Sequence, residues 1–226
     1  HHTLLLFFLG CCSTTSGMKF FTRYSVLFIA FCVLAGQISA GDVVRDFWKC
    51  LNGNYTNSKE VSEDVPSKPK HDQTQALCIP VRLPALPGPV IYFKETLNKV
   101  VVRQTLWSLR SDKENIVNAS IYSFNYASSS GDFNLDAVLA ALKPEDLHTD
   151  QDCFAVYIQL PNGAFAGDMA DCEDNVNGKH PRYDGIIDCN SIIAKSPPAA
   201  KETTTFIPYV VLRSGERYPL PDESAA

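Results

Sequence analysis

Basic residues are scarce in this chain and never cluster: 20 Lys and Arg stand against 25 Asp and Glu in 226 residues. A chain without a basic patch has no electrostatic footprint for nucleic acid or for an anionic membrane surface. There is no Cys-x-x-Cys and no spaced His pair, so the common zinc sites are excluded and no metal is expected. There is no Gly-x-Ser-x-Gly elbow, no His-Glu-x-x-His and no phosphate loop, which removes the familiar hydrolase and nucleotide-binding classes. After residue 40 no apolar run is long enough to span a bilayer. Past the first two positions histidine occurs at His71, His148 and His180, each in a polar context, and these read as solvated. Asp168 and Asp171 are close in sequence, but strand parity separates their faces, so they read as surface acids. Internal repeats and a strand–helix–strand rhythm are also missing.

What is present begins with Met18, followed by Lys19, Arg23 and the apolar run Val26 to Ala35, then Ser39 and Ala40. A basic end, a short apolar block and small residues at a cleavage point make a secretory signal peptide over 18–40. Residues 1–17 read as an upstream extension that is not native. The mature chain is expected to start near Gly41 and to be secreted. Without Lys19 and Arg23 it keeps 18 basic and 25 acidic residues, a formal charge of −7. Cys50, Cys78, Cys153, Cys172 and Cys189 remain, an odd set. In an oxidising compartment that suggests two bridges and a leftover thiol, or an intermolecular link. Asn54-Tyr55-Thr56 and Asn118-Ala119-Ser120 are glycosylation sequons, which would place both asparagines on the surface.

Asp42 can cap a helix with Val43, Val44, Phe47, Trp48 and Leu51 on one face, ended at Gly53. Asn57 to Gln75 is polar and reads as a solvent loop. Strands are expected at Ala76–Arg82, Val90–Leu97, Val100–Leu109, Ile116–Tyr126, Tyr183–Ala194 and Phe206–Arg213, with Asn98-Lys99 turning a hairpin. The Ser128 to Gly131 run reads as a loop, and Asn134 as the cap of a helix through Leu135, Val138, Leu139 and Leu142 that Pro144 closes. Short strands with frequent turn signals point to a mainly β, antiparallel barrel or sandwich with one or two short helices. The domain spans 41–220 and 221–226 is a polar tail.

The most constrained stretch is Cys153 to Cys172. Asn162-Gly163 between alternating apolar runs signals a two-residue hairpin turn. In that register Pro161 faces Ala164 and Cys153 lies opposite Cys172 at a hydrogen-bonded position, where a disulfide can close. Phe154, Val156, Ile158 and Leu160 then share a greasy face with Phe165, Gly167 and Met169, and the other face is mixed.

Read in order, several segments resemble the T-type phycobiliprotein lyases, the CpcT/CpeT family. They are Gly53-Asn54-Tyr55-Thr56-Asn57, Ile91-Tyr92-Phe93-Lys94-Glu95-Thr96-Leu97, Val102-Arg103-Gln104-Thr105, Lys143 to Leu147 ahead of Cys153, and Phe165-Ala166-Gly167 ahead of Cys172. Val102 and Thr105 stand where the family has tyrosine and arginine, and Lys94-Glu95 replaces its acid–amide pair. The resemblance implies a calyx-like, lipocalin-like barrel that binds a bilin of the biliverdin or phycobilin type. It further implies attachment of that open-chain tetrapyrrole to a cysteine of an acceptor protein, and a homodimer. The departures weaken the implied lyase activity.

The ligand-binding positions it implies are Tyr92, Glu95, Arg103 and Gln104. Arg103 would grip a propionate through two parallel hydrogen bonds, with Gln104 serving a lactam or carboxylate and Tyr92 stacking at the cleft. The plainer readings are a surface strand arginine for Arg103 and a core aromatic for Tyr92. A lipocalin-like carrier of another small apolar ligand is the alternative function.

Overall fold

The structure, a computed structural model, describes residues 40–64, 71–124, 134–149, 153–169, 172–174, 178–180, 183–195 and 209–221. Thirteen strands occur among them, and ten close into one antiparallel barrel. Four precede the middle of the chain: β1 (Gly53–Thr56), β2 (Thr74–Val81), β3 (Val90–Leu97) and β4 (Val100–Lys113). They are followed by β5 (Ile116–Phe124), β6 (Leu147–His148), β7 (Phe154–Gln159) and β8 (Phe165–Met169). Then come β9 (Cys172–Asp174), β10 (Gly178–His180), β11 (Tyr183–Ile187), β12 (Ser191–Lys195) and β13 (Tyr209–Ser214).

Around the wall the order is β1-β2-β3-β4-β5-β7-β8-β11-β12-β13, and β13 pairs back with β1. Sequential neighbours thus lie side by side, the up-and-down arrangement that leaves no sheet edge open. The short β6 adds to β5 outside the ring, and β9 and β10 form a separate ribbon. The expected antiparallel barrel is what forms.

Helix α1 (Ala40–Cys50) begins ahead of Asp42, the cap expected from sequence. Its apolar stripe is as read: Val43, Val44, Phe47, Trp48 and Leu51 are all buried. They pack into the barrel core with Tyr55, Ile91, Trp107, Tyr157 and Phe165. Burying Phe47 and Leu51 stabilises the fold by about 1.5–3 kcal/mol each. Trp48 donates its indole N–H to the carbonyl of Val90 at 2.9 Å, which fixes the helix on the wall. A second apolar cluster lies on the outer face of β2 to β5, under helix α3 (Leu135–Ala141) and the proline-rich turn after β2. Asn134 caps α3 as expected, accepting from the Ala137 N–H at 3.1 Å. The hairpin at Asn98-Lys99 also forms, with φ of 50° and 69° at the two turn residues.

The Asn162-Gly163 hairpin differs from its reading. Leu160 N–H donates to Ala164 O at 2.7 Å and Gly163 N–H to Leu160 O at 2.9 Å, so the loop has three residues, Pro161 to Gly163. Proline has no N–H for the closing pair and sets φ for the first corner of a type I turn, with Gly163 at φ 84° completing it. The register moves by one: Tyr157 faces Gly167 and Ala155 faces Met169. Ala155, Tyr157, Phe165 and Met169 therefore point inward, while Phe154 and Ile158 are 45% and 46% exposed on the outside. The pairing expected for Cys153 and Cys172 lies beyond the described register, which ends at Ala155 and Met169. Cys153 is disulfide-bonded, but the side chain of Cys172 lies outside the described residues.

Other readings are corrected locally. Asn57 to Gln75 is not simply a solvent loop: helix α2 (Ser58–Ser62) forms, and Asn57 is buried, bonding Thr74 N–H and Asp72 O. His71, expected in solvent, is instead held at 2.7 Å from Asp64. Tyr183 to Ala194 is two strands, because the Asp188 carboxylate accepts from Asn190 and Ser191 N–H and turns the chain. The loop expected at Ser128 to Gly131, the start of the last strand at Phe206, His180's side chain, Asp171, and the readings for 1–39 and for 222–226 lie outside the described residues.

Candidate ligand-binding site

Glu95 on β3 and Arg103 on β4 are cross-strand partners, and a bulge next to them leaves Val102 unmatched. Both lie on the strand face shared with Phe93, Thr105 and Trp107, so a carboxylate and a guanidinium stand in the lumen at 5% and 3% exposure. They approach at 3.6 Å. That is longer than the roughly 2.7–2.9 Å of a tight charge-assisted hydrogen bond.

Aromatic rings hold Arg103 from other directions. Its Cζ lies 4.7 Å from the centre of the Tyr183 ring and 5.8 Å from that of Phe93. Tyr209 donates to Glu95 at 3.3 Å. Yet the buried Nε of Arg103 has no hydrogen-bond partner among the described residues. Burial of Tyr183 and the negative charge of Glu95 push its hydroxyl pKa up, with the Arg103 charge opposing. The same two causes, burial first, hold Tyr209 well above its ordinary value. Both phenols are therefore neutral donors at physiological pH.

The cavity beside this cluster has a volume of about 60 Å³. Its wall is apolar, including Phe93, Trp107, Tyr157, Met169 and Ile187, and exposed Asp184 lies on its rim. A chain of rings fills the remaining space: Phe93 stacks on Trp107 at 5.0 Å, Trp107 on Tyr157 at 6.4 Å, and Tyr157 meets Phe47 at 4.9 Å. Pockets that enclose a whole small molecule run to roughly 300–1,000 Å³. This lumen is smaller than that, and α1 with its aromatic partners occupies the rest of the expected calyx.

Of the four expected ligand positions, Glu95 and Arg103 come together in the lumen. Tyr92 and Gln104 do not join them. Tyr92 is fully buried in the outer cluster beneath α3, a core aromatic as its plainer reading had it. Gln104 sits opposite Lys94 on the outer side of the wall. Tyr183 and Tyr209 were not anticipated, and their signal was slight: each is an aromatic at the first position of a strand.

Cys50 and Cys189 form a disulfide that ties the end of α1 to the turn between β11 and β12. Cys78 is a free thiol, fully buried, with its pKa pushed up by burial and by Glu95. Among the described residues no group of His, Cys, Asp and Glu could hold a metal ion. No described helix is long and apolar enough to cross a membrane.

The fold and lumen define a class: a closed antiparallel barrel with a desolvated guanidinium–carboxylate pair inside. Among solved structures it is similar to a CRL protein of Arabidopsis, with a TM-score of 0.52 and 14% identity, covering 78% of this chain and 100% of that one. No family model matches the chain, and no curated protein matches it.

Proposed function

We propose that this barrel binds an apolar carboxylic acid, with a linear tetrapyrrole of the bilin class as the first candidate, and holds its acid group on Arg103. One observation carries the reading: an arginine buried in an apolar lumen keeps an unmatched N–H while its carboxylate partner stands 3.6 Å away. A ligand carboxylate offers that guanidinium two well-formed hydrogen bonds. The ordered segments that resemble T-type lyases add support for a bilin. The small cavity sets the mode: a propionate arm enters, and the conjugated rings extend toward the side where Asp184 is exposed. A disulfide is consistent with the secretory route read from the N-terminal segment.

The same volume favours a second reading, a lipocalin-like carrier of a slimmer apolar acid. One titration separates them. Biliverdin added to the purified protein should shift its visible band and quench Trp48 and Trp107, and the Glu95→Gln/Arg103→Gln double variant should lose both effects. An unchanged spectrum together with an apolar acid found by native mass spectrometry selects the carrier. An unchanged spectrum and no bound acid overturns the proposal. Lyase activity would require transfer of bilin to a second protein's cysteine, lost in Arg103→Ala. Cys78 does not suit attachment, because burial suppresses its thiolate.

A further inference from the structure

Five of the six large apolar side chains that are exposed among the described residues gather on one wall of the barrel, Val100 being the exception. Phe154 and Ile158 on β7, Ile186 on β11, Ile193 on β12 and Leu212 on β13 are each 39–46% exposed. The register aligns the central ones: Ile158 lies opposite Ala166, Ala166 opposite Ile186, and Ile186 opposite Ile193. The row continues to Ile116 on β5 and to Val210 on β13. At about 4.8 Å per strand it is about 24 Å wide. An apolar surface of this extent on a soluble barrel is either covered or an aggregation hazard.

Both sequons stand at the borders of this wall, on its two flanking strands. Asn118 on β5 points outward between buried Val117 and Ala119, directly opposite Val156 and diagonal to Phe154 and Ile158. Asn54 on β1 is exposed, directly opposite Ser214 and diagonal to Leu212. Counting along the register, the two asparagines occupy opposite corners. Diagonal neighbours on a sheet are about 7–8 Å apart, within reach of a first sugar.

We propose that Asn54 and Asn118 carry N-linked glycans whose first sugars lie over the apolar corners at Leu212 and at Phe154–Ile158, covering the wall. The C–H face and acetyl methyl of N-acetylglucosamine pack on the side chains, and its hydroxyls face water. In forming each link, Nδ2 loses one hydrogen as a proton and bonds to the anomeric carbon. That carbon's bond to a lipid diphosphate breaks, and the diphosphate leaves with the electron pair. The lipid-linked oligosaccharide is the donor. Nδ2 of Asn118 donates to Asp112 Oδ2 at 3.3 Å, and the linked amide keeps one N–H for that bond. Glycans at both corners would exclude a second copy from the same face.

The test uses the full chain secreted from a eukaryotic host. Release with peptide N-glycosidase in heavy-oxygen water should mark both Asn54 and Asn118 as labelled aspartate. Removing the glycans from the folded protein should raise the fluorescence of an apolar surface dye several-fold and start self-association, and Ile158→Ser with Ile186→Ser should reduce that rise. Unlabelled asparagines in the secreted protein overturn the proposal, as does dye binding that is unchanged after glycan removal. Unlabelled asparagines with a dimer in light scattering would give the wall to a second copy instead.

Discussion

Glu95 and Arg103 oppose each other across one register step of β3 and β4, each more than nine-tenths buried and 3.6 Å apart. The pair sits where water cannot repair a loss. Arg103→Met alone should cost about 3–5 kcal/mol, since it strands a carboxylate in an apolar lumen. Glu95→Leu with Arg103→Met should recover most of that. Denaturant unfolding of the two singles and the double gives the cycle, and a single-variant cost below about 1 kcal/mol would show that the pair is solvated.

The Cys50–Cys189 bridge spans a sequence separation of 139 residues. Closing so long a loop restricts the unfolded chain strongly. Cys50→Ser with Cys189→Ser should lower stability by about 2–5 kcal/mol. Thermal unfolding of the variant beside the parent protein measures it, and equal midpoints would contradict the expectation.

Two glycines on one hairpin should respond differently to alanine. At Gly167 a Cβ would collide with the Val156 carbonyl and the Tyr157 backbone, so Gly167→Ala should cost about 3 kcal/mol or more. Gly163 has φ 84° but open space around it. Gly163→Ala should cost only about 1–2 kcal/mol, from the left-handed backbone alone. Chemical denaturation of both variants ranks them, and the reverse order would refute the register given for β7 and β8.

Asp188 supplies a pH dependence of defined sign. Burial raises its pKa, but hydrogen bonds from Asn190 and Ser191 outweigh that and hold it below 3.8. A carboxylate depressed in the folded state stabilises it above the unfolded pKa, and that contribution fades as pH falls through the folded value. Asp188→Ala should cost about 1 kcal/mol at neutral pH. The gap between variant and parent should close in acid. A gap that stays constant as the carboxyl group protonates would locate the effect elsewhere.

Much of the wall was readable because its signals are local. Strand alternation in β3, β4 and β5, the Asn98-Lys99 turn, the Asn134 cap and the α1 stripe all depend on near neighbours. The hairpin at Asn162-Gly163 misled because Pro161 lacks the N–H that the shorter turn needs, and one residue of slip reversed which face of β7 is outside. The site was half legible. Alternation from Trp107 puts Arg103 on the inner face, but only the register of β3 against β4 sets it opposite Glu95. Tyr92 followed from family resemblance, but α3 covers its side of the sheet. Tyr183 reaches Arg103, and Tyr209 reaches Glu95, from strands more than 70 residues away in sequence, contacts that no local pattern encodes.

Pairing of β1 with β13 has a consequence for how the protein is made. Strand β1 finds its last neighbour only after residues 209–214 have emerged from the ribosome, and Cys50 must wait similarly for Cys189. Ring closure therefore depends on contacts distant in sequence, which makes it slow. Until then the oily stripe of α1 lacks much of its cover and is open to aggregation.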